Sequence, residues 1–349
     1  MPDLEPLDPE EGKELYLEAR KDELTDSTIS AQKYRLEAFV EWCDESDVDN
    51  LNELTGRDLY AYRVWRREGH GFNRDPIQRV TLRSQLGTIR AFLRFCSEIE
   101  AVPPDLFEKV AMPTVSAGEE VSDSTLDPDR VVGILEYLDQ YKYASRDHLS
   151  VLLAWHTGCR IGGMLSLDLG DIDHDATHPR IDGPAVHFVH RPETGTPLKN
   201  KEKGERWNRI STYVSTVIED YVAGPRIDVV DDYDREPLIT TTYGRPVPGT
   251  VRMSLYRVTR PCWLGKECPH DRDPEDCEAT MLKKASTCPS SRSPHDLRSG
   301  RVTYYRRNEV PRRIVKDRLN ASEEILDKHY DRRSARERAQ QRSDYLPDI

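Results

Sequence analysis

The sequence predicts a mostly α-helical protein with a small β-sheet, divided into two domains. Apolar residues recur at helical spacing through residues 12–111, which predicts an N-terminal helical bundle. Residues 112–126 combine Pro, Gly, Ser and charged residues without periodicity and are interpreted as a linker. Segments typical of β-strands flank a polar stretch between about residues 180 and 211, which predicts a hairpin in the second domain. A chain of 349 residues is long enough for two hydrophobic cores.

The helices expected next to the linker carry two further signals. Asp127 and Pro128 form a cap and first-turn pair, which predicts the start of the first helix of the second domain. In the N-terminal domain, arginines lie between the apolar positions of the last predicted helix, and Arg83 and Arg90 are candidate DNA contacts. The alternative for both arginines is a solvated helix face.

The charge balance is acidic. The chain has 63 Asp and Glu against 51 Lys and Arg, a net charge of -12, and only 13 of the basic residues are lysines. A negative net charge opposes binding to nucleic acid, so a nucleic-acid-binding surface in this chain would have to be a local basic region. Abundant carboxylates with scarce lysine resemble the proteins of salt-loving archaea. The alternative is an ordinary acidic protein that never meets DNA.

The chain is expected to be cytoplasmic. No stretch approaches 18 consecutive apolar residues, so no membrane partner is expected. The N-terminal sequence is acidic and lacks the apolar centre of a signal peptide. In that compartment the seven cysteines are predicted to be thiols or metal ligands rather than disulfides.

Four residue positions in a fixed order carry the chemistry. Arg160 follows a Thr-Gly pair in HTGCRIGGMLSLDLGDI (156–172), His295 and Arg298 stand in SPHDLRSGRVTYY (293–305), and Tyr330 stands in ILDKHYDRRS (325–334). Guanidinium groups hold phosphate through a planar fork and keep their charge. A phenol can attack the phosphorus and later leave as phenolate. The set therefore indicates cleavage and rejoining of a DNA phosphodiester.

Single members of this set have ordinary alternatives. Arg160 alone would be interpreted as a helix-terminal salt bridge, and Tyr330 alone as a core tyrosine. A His-x-x-Arg pair is a weak signal, because a second one occurs at His329 and Arg332. The order of the residues and the Thr-Gly pair before Arg160 make the set specific.

With these motifs the chain resembles the tyrosine recombinases of the phage-integrase and Xer type, and within them the haloarchaeal branch. The resemblance implies a SAM-like N-terminal bundle over 12–111 and an α/β catalytic domain over 127–340. It also implies that Tyr330 forms a 3′-phosphotyrosyl link while Arg160 and Arg298 bind the phosphate and His295 assists proton transfer. Double-stranded DNA is the expected partner, a homo-tetramer on paired sites the expected assembly, and no cofactor is required for catalysis.

Members of this family also place a lysine on a β-hairpin turn, where it protonates the leaving 5′-oxygen. The turn TPLKNKEKGER offers three lysines within five residues. Lys199 is the first candidate, Lys201 the second and Lys203 the third. The alternative is a solvated polar turn.

Two positions depart from the family pattern. Gly163 stands where relatives often have Glu, and Ala321 stands where a His or Trp usually supports the phosphate. Asn320 or His329 could replace that missing side chain. Two alternative functions stay open, a type IB topoisomerase-like activity and a catalytically silent DNA-binding homologue.

A cysteine-rich insertion at 262–288 lies before the His295 motif. Cys262, Cys268, Cys277 and Cys288 could form a closed tetrahedral zinc site, with His270 as an alternative ligand. The segment has little apolar content, so a bound metal would supply the energy that orders it. Structural zinc is therefore predicted, against the alternative of free thiols.

Overall fold

A computed structural model describes residues 4–70, 75–116, 118–119, 124–175 and 182–326, together with residues 336 and 339. The chain divides into two compact units, Met1–Ser122 and Asp123–Ile349, which we call the N-terminal unit and the C-terminal unit. The prediction of a mostly helical protein with a small sheet is confirmed. The predicted limits of the two domains stay predictions, and the first helix begins slightly earlier than expected, at Pro9.

The N-terminal unit is a helical bundle. Its helices are α1 (Pro9–Ala19), α2 (Asp26–Glu45), α3 (Gly56–Arg67) and α4 (Arg79–Glu98), with 3₁₀ turns at Leu51–Glu53 and Leu106–Lys109. The predicted apolar stripe of α4 is buried, and Phe92 packs edge-on against Tyr16 and Phe39. This aromatic centre explains how a chain with few bulky apolar residues closes a core.

The C-terminal unit packs helices around α6, and nine of the 12 residues of that helix are buried. Its helices are α5 (Pro128–Tyr141), α6 (Arg146–Thr157), α7 (Ile161–Leu165), α8 (Thr212–Ala223), α9 (Pro248–Val258), α10 (Pro294–Arg307), α11 (Arg312–Leu319) and α12 (Glu323–Ile325). Helix α5 begins at the predicted place, where the Asp127 side chain accepts a hydrogen bond of 2.9 Å from the backbone N–H of Asp129. Among the described residues, no helix is long and apolar enough to cross a membrane.

The predicted hairpin is confirmed as part of a three-stranded antiparallel sheet in the order β1-β2-β3. The strands are β1 (Ile172–Asp173), β2 (Ala185–Phe188) and β3 (Arg206–Arg209). The pairing of β2 with β3 sets Phe188 opposite Arg206. The long β2–β3 loop between these two residues carries the three candidate lysines.

Helix α10 passes very close to the start of α5. The backbone N–H of Leu126 donates to the carbonyl of Asp296 at 3.1 Å. A Cβ on Gly300 would lie 2.0 Å from the carbonyl oxygen of Leu126. Only a residue without a side chain permits this approach, so Gly300 fixes α10, the helix that carries His295 and Arg298.

Gly300→Ala should lower the free energy of unfolding of the C-terminal unit by about 2 kcal/mol, because the added methyl group forces the backbone at Leu126 to move. Gly133→Ala in α5 is the matched control. Its Cβ would meet only Lys266 Nζ at 3.9 Å, so helix propensity should stabilise the unit by about 0.5–1 kcal/mol. Urea denaturation of both variants checks the pair, and equal shifts would contradict the close approach.

Candidate active site

Arg160 is directed by a tight turn between α6 and α7. Thr157 Oγ1 donates to the carbonyl of Leu153 at 2.6 Å and accepts from the N–H of Cys159 at 3.2 Å. Between them Gly158 adopts a left-handed conformation with φ of 63°, and a Cβ there would lie 2.2 Å from the Leu319 side chain. This turn is the reason for the Thr-Gly pair in the sequence, and it places Arg160 at the N-cap of α7.

Arg298 is buried, with 2% of its surface exposed. Its Nη1 donates to the carbonyl of Gly158 at 2.5 Å, and its Nη2 donates to the carbonyl of Leu319 at 2.9 Å. The Ser293–Asp296 capping box starts α10 one turn earlier, and His295 is exposed in that first turn. The fork of Arg298 therefore joins the turn before Arg160 to the end of α11.

The end of α11 is fastened to Arg160 and to the β2–β3 loop. Asn320 ends the helix in a left-handed conformation with φ of 49°. Its carbonyl accepts from Arg160 Nη1 at 3.2 Å, and its Nδ2 donates to the carbonyl of Lys203 at 2.5 Å. Asn200 Nδ2 also donates to the Asn320 side chain.

These contacts bring the predicted residues into one cavity of about 710 Å³. Arg160, Lys199, His295 and Arg298 all line it, as does the small side chain of Ala321. The cavity is completed by Ile161, Asn200, Pro294, Ser322 and Ile325. Residues Tyr330 and His329 lie outside the described residues.

The three candidate lysines have different places in the loop. Lys199 is exposed and lines the same cavity as Arg160 and Arg298. Lys201 begins the 3₁₀ turn Lys201–Gly204 with a positive φ of 52°. Lys203 lines a neighbouring cavity of about 590 Å³.

The start of the β2–β3 loop is held by an ion-pair network that the sequence did not reveal. Asp168 pairs with Arg235 at 2.7 Å and with Arg245 at 2.5 Å. Arg235 Nη1 also donates to Thr194 Oγ1 and Thr196 Oγ1 of the loop at 2.9 and 2.8 Å. The sequence contained one signal of this network, the DLGD stretch that follows Arg160. The two carboxylates of this stretch do not lie on a solvent-facing helix.

A second arginine pairs the same acidic stretch with the loop. Arg191 forms a 2.6 Å ion pair with Asp171, and its Nη1 and Nη2 each donate to one oxygen of that carboxylate. Bidentate pairs of this kind fix geometry as well as charge. The network therefore fixes the loop on the side opposite to the contacts of Asn320.

Arg206 is a further residue of the site that the sequence analysis missed. Burial and the nearby charges of Arg298, Arg160 and Arg318 lower the pKa of Arg206 to about 10, while the Cys159 thiol opposes this shift. Its Cζ lies 4.2 Å from the centroid of the Phe188 ring. Arg206 follows the lysine-bearing turn directly, and that placement is the signal which could have identified it.

The two positions that depart from the family pattern have different surroundings. A Cβ on Gly163 would lie 3.5 Å from the Phe188 ring, the ring that Arg206 covers. Ala321 is 7% exposed and packs with Val302, Val315 and Leu319. The idea that Asn320 replaces the missing side chain at 321 is not supported, because its amide is engaged with Lys203 and Asn200.

The cysteine-rich insertion shows no gathered set of metal ligands: its four cysteines are free thiols, and no group of three or more His, Cys, Asp or Glu in the described residues could hold a metal ion. Structural zinc therefore stays a prediction. Arginines bind the backbone in and just after the insertion: Arg260 Nη1 donates to the carbonyl of Ala279, and Arg130 Nη2 donates to the carbonyl of Ser290 at 2.7 Å. His270 contacts Ser290 Oγ at 2.8 Å.

In the N-terminal unit, Arg83 and Arg90 are half-buried on α4. Arg79 and Arg94 of the same helix are exposed. DNA contact by Arg83 and Arg90 stays a prediction.

The fold is similar to that of solved integrase structures. A lambda integrase dimer bound to a COC' core site matches with a TM-score of 0.59 and 12% identity, over 99% of this chain and 80% of that chain. The Tn1549 transposon integrase in complex with transposon right end DNA matches with a TM-score of 0.62 and 11% identity, over 97% of this chain and 99% of that chain. At these identities the likeness establishes the integrase fold class.

A further likeness lies in the sequence. The N-terminal domain of a phage integrase/site-specific recombinase from Haloarcula marismortui is 34% identical, over 31% of this chain and 99% of that chain, with a TM-score of 0.29. No protein-family model and no curated protein matches the chain. The sequence identity, together with the fold class and the ordered motifs, identifies the family: the chain belongs to the tyrosine recombinases.

His156, in the helix that leads to Arg160, should make the C-terminal unit sensitive to acid. Burial, then the charges of Arg318 and Arg301, lower the pKa of His156 to about 4. The unfolded chain therefore binds the extra proton between pH 6.5 and 4, and stability falls as the pH falls through this range. Between pH 7.5 and 5 the loss from this group should be on the order of 2 kcal/mol.

His156→Gln tests this, because glutamine can still accept the hydrogen bond from the N–H of Ser211 without binding a proton. Urea denaturation at pH 7.5 and 5 should show a smaller loss of stability in the variant. Parallel losses in variant and wild type would contradict the assignment to His156.

Proposed function

We propose that this protein is a site-specific recombinase that cuts and rejoins double-stranded DNA through a 3′-phosphotyrosyl intermediate on Tyr330. The observation that supports this most is the single cavity lined by Arg160, Lys199, His295 and Arg298. Two of its cations are guanidiniums, and the integrases with the same fold include DNA-bound complexes. A cationic cavity of this kind suits a phosphodiester, whose charge grows on the non-bridging oxygens as it reacts.

In the proposed reaction the phenol oxygen of Tyr330 attacks the phosphorus and displaces the 5′-oxygen. A Tyr–O–P bond forms and the P–O5′ bond breaks. Arg160 and Arg298 hold the non-bridging oxygens, His295 assists proton transfer, and Lys199 gives the departing 5′-oxygen its proton. A 5′-hydroxyl from the partner strand then reverses these steps. Because one ester replaces another, the bond energy is retained and no nucleotide cofactor is needed.

Strand exchange between two duplexes requires four such cleavages, so we also propose a homo-tetramer on paired DNA sites. The acidic composition and the relative from Haloarcula marismortui support an assignment to the haloarchaeal branch. A nucleoid-associated, cytoplasmic location follows from the DNA substrate. In such an organism binding must persist at high salt, which weakens contacts that depend on counterion release.

Two observations favour the alternative of a silent DNA-binding homologue. Ala321 offers no hydrogen-bond donor to the cavity, and Gly163 replaces a frequent carboxylate. Neither position removes the nucleophile or the two arginines. A type IB topoisomerase-like activity would use the same cavity, but it would rejoin the cleaved strand without strand exchange.

The first test is covalent trapping on a nicked duplex selected for binding from a random-sequence pool. The wild type should form a protein–DNA adduct, and Tyr330→Phe should abolish it, because only the phenol oxygen can form the ester. Tyr304→Phe in α10 is the matched control and should still form the adduct. No adduct with wild type would reject the enzyme and leave the silent homologue, whereas relaxation of supercoiled DNA without strand exchange would indicate the topoisomerase.

The second test separates the lysines. Lys199→Ala should slow adduct formation by about 10²-fold on ordinary DNA, because the leaving oxygen loses its acid. On a substrate whose 5′-bridging oxygen is replaced by sulfur, the thiolate leaves without a proton and the variant should regain the wild-type rate. Lys201→Ala is the control and should match wild type on both substrates. A defect that persists on the sulfur substrate would assign Lys199 to another role.

A further inference from the structure

A second cationic cavity lies beside the proposed reaction site. It has a volume of about 590 Å³ and is lined by three cations, Lys203, Arg206 and Lys316. It shares Asn200, Ala321 and Ser322 with the cavity that holds Arg160 and Arg298. The two cavities are therefore neighbours along one surface, separated by the contact between Asn200 and Asn320.

Arg206 is held in this cavity through two of its three nitrogens. Its Nε donates to the carbonyl of Arg318 at 3.0 Å, and its Nη1 donates to the carbonyl of Gly204 at 2.9 Å. The guanidinium also covers the Phe188 ring at 4.2 Å. Within the described part of the chain, Nη2 makes no hydrogen bond. The fork is thus fixed in place with one edge still available to an acceptor.

The arginines of this region are held without ion pairs within the described residues. None of Arg160, Arg206 and Arg318 forms an ion pair with a described carboxylate. Two carboxylates do line the cavity, Glu205 and Asp317. The Glu205 carboxylate accepts a hydrogen bond of 2.9 Å from the N–H of His190.

Gly163 contributes to this charge balance. Gly163 and Arg206 line one small cavity, so a glutamate at 163 would place a carboxylate near this guanidinium. Such a carboxylate would neutralise Arg206 and compete for its available edge. With glycine at this position, the charge of Arg206 is left for a ligand.

We propose that Lys203, Arg206 and Lys316 form a second phosphate subsite, which binds the DNA backbone phosphate next to the one that reacts. The inference rests on the proposed function, because the first phosphate is placed between Arg160 and Arg298. A continuous strand presents its phosphates at regular intervals, and two adjoining cationic cavities match two successive charges. Contacts of this kind position the strand without reading its sequence.

The experiment measures equilibrium binding to the selected duplex, with single phosphates replaced in turn by uncharged methylphosphonate. Wild type should lose about tenfold in affinity when the phosphate beside the reacting one is replaced, since a hydrogen bond between charged groups is lost. In Arg206→Gln and in Lys316→Gln the same replacement should cost less than in wild type, because one of the three cations that hold that phosphate is already gone. Replacement of the reacting phosphate should still weaken both variants as it does wild type.

Arg209→Gln is the matched control. Arg209 is an exposed arginine at the other end of β3, and its variant loses the same charge. It should keep the full tenfold penalty at the neighbouring phosphate. Thermal unfolding of Arg206→Gln is compared with wild type, and Lys316→Gln gives the same test without the structural contacts of Arg206.

The outcomes separate the two proposals. If Lys316→Gln and Arg206→Gln keep the wild-type penalty at the neighbouring phosphate, the subsite is rejected even though the protein binds and cleaves DNA. If wild type binds no duplex from the pool, the proposed function fails. A smaller penalty in both variants and its full retention in Arg209→Gln establish the subsite.

Discussion

The architecture of the site depends on the buried fork of Arg298. A guanidinium with 2% of its surface exposed must be satisfied by the protein, and Arg298 uses the carbonyls of Gly158 and Leu319. These carbonyls belong to a left-handed turn and to the end of α11, and both are unpaired within their own helices. The Arg298 guanidinium therefore binds the ends of two helices at the same time. Moving either end would remove one of these two hydrogen bonds from a buried charge, which is costly in a low-dielectric interior.

The β2–β3 loop shows how an acidic chain builds a cationic site. The carboxylates next to the start of the loop are paired with arginines: Asp168, Asp171 and Asp231 form ion pairs with Arg191, Arg235 and Arg245. On the other side, Arg160, Arg206 and Arg318 bind backbone carbonyls in place of carboxylates. Carbonyls fix these arginines but do not cancel their charge. The net charge of -12 thus says little about the field at the cavity, which depends on where the carboxylates are paired.

The sequence predicted those parts of the molecule that depend on local pattern or on motif order. The helical stripe of α4, the start of α5 at Asp127 and the hairpin all follow from spacing and capping. Arg160, His295 and Arg298 were identified because a fixed order is visible without a structure. The pairing of Asp168 with Arg235 and Arg245 joins residues 67 and 77 positions apart, and no local pattern encodes it. The cysteines differ, because their closeness along the chain is not matched by a gathered set of ligands among the described residues, so zinc stays a prediction.

Ala321 shows what the arrangement of cations implies for the proposed chemistry. The position is buried against Val302 and Leu319, and Asn320 next to it must keep its left-handed conformation to reach Arg160 and Lys203. A large ring at 321 would have to enter the cavity from this packed corner. With alanine at this position, the same small side chain lines both cavities. In the proposed reaction, the charge of the lysines and arginines that line the two cavities would offset the donor absent at 321, because these cations outnumber the carboxylates there.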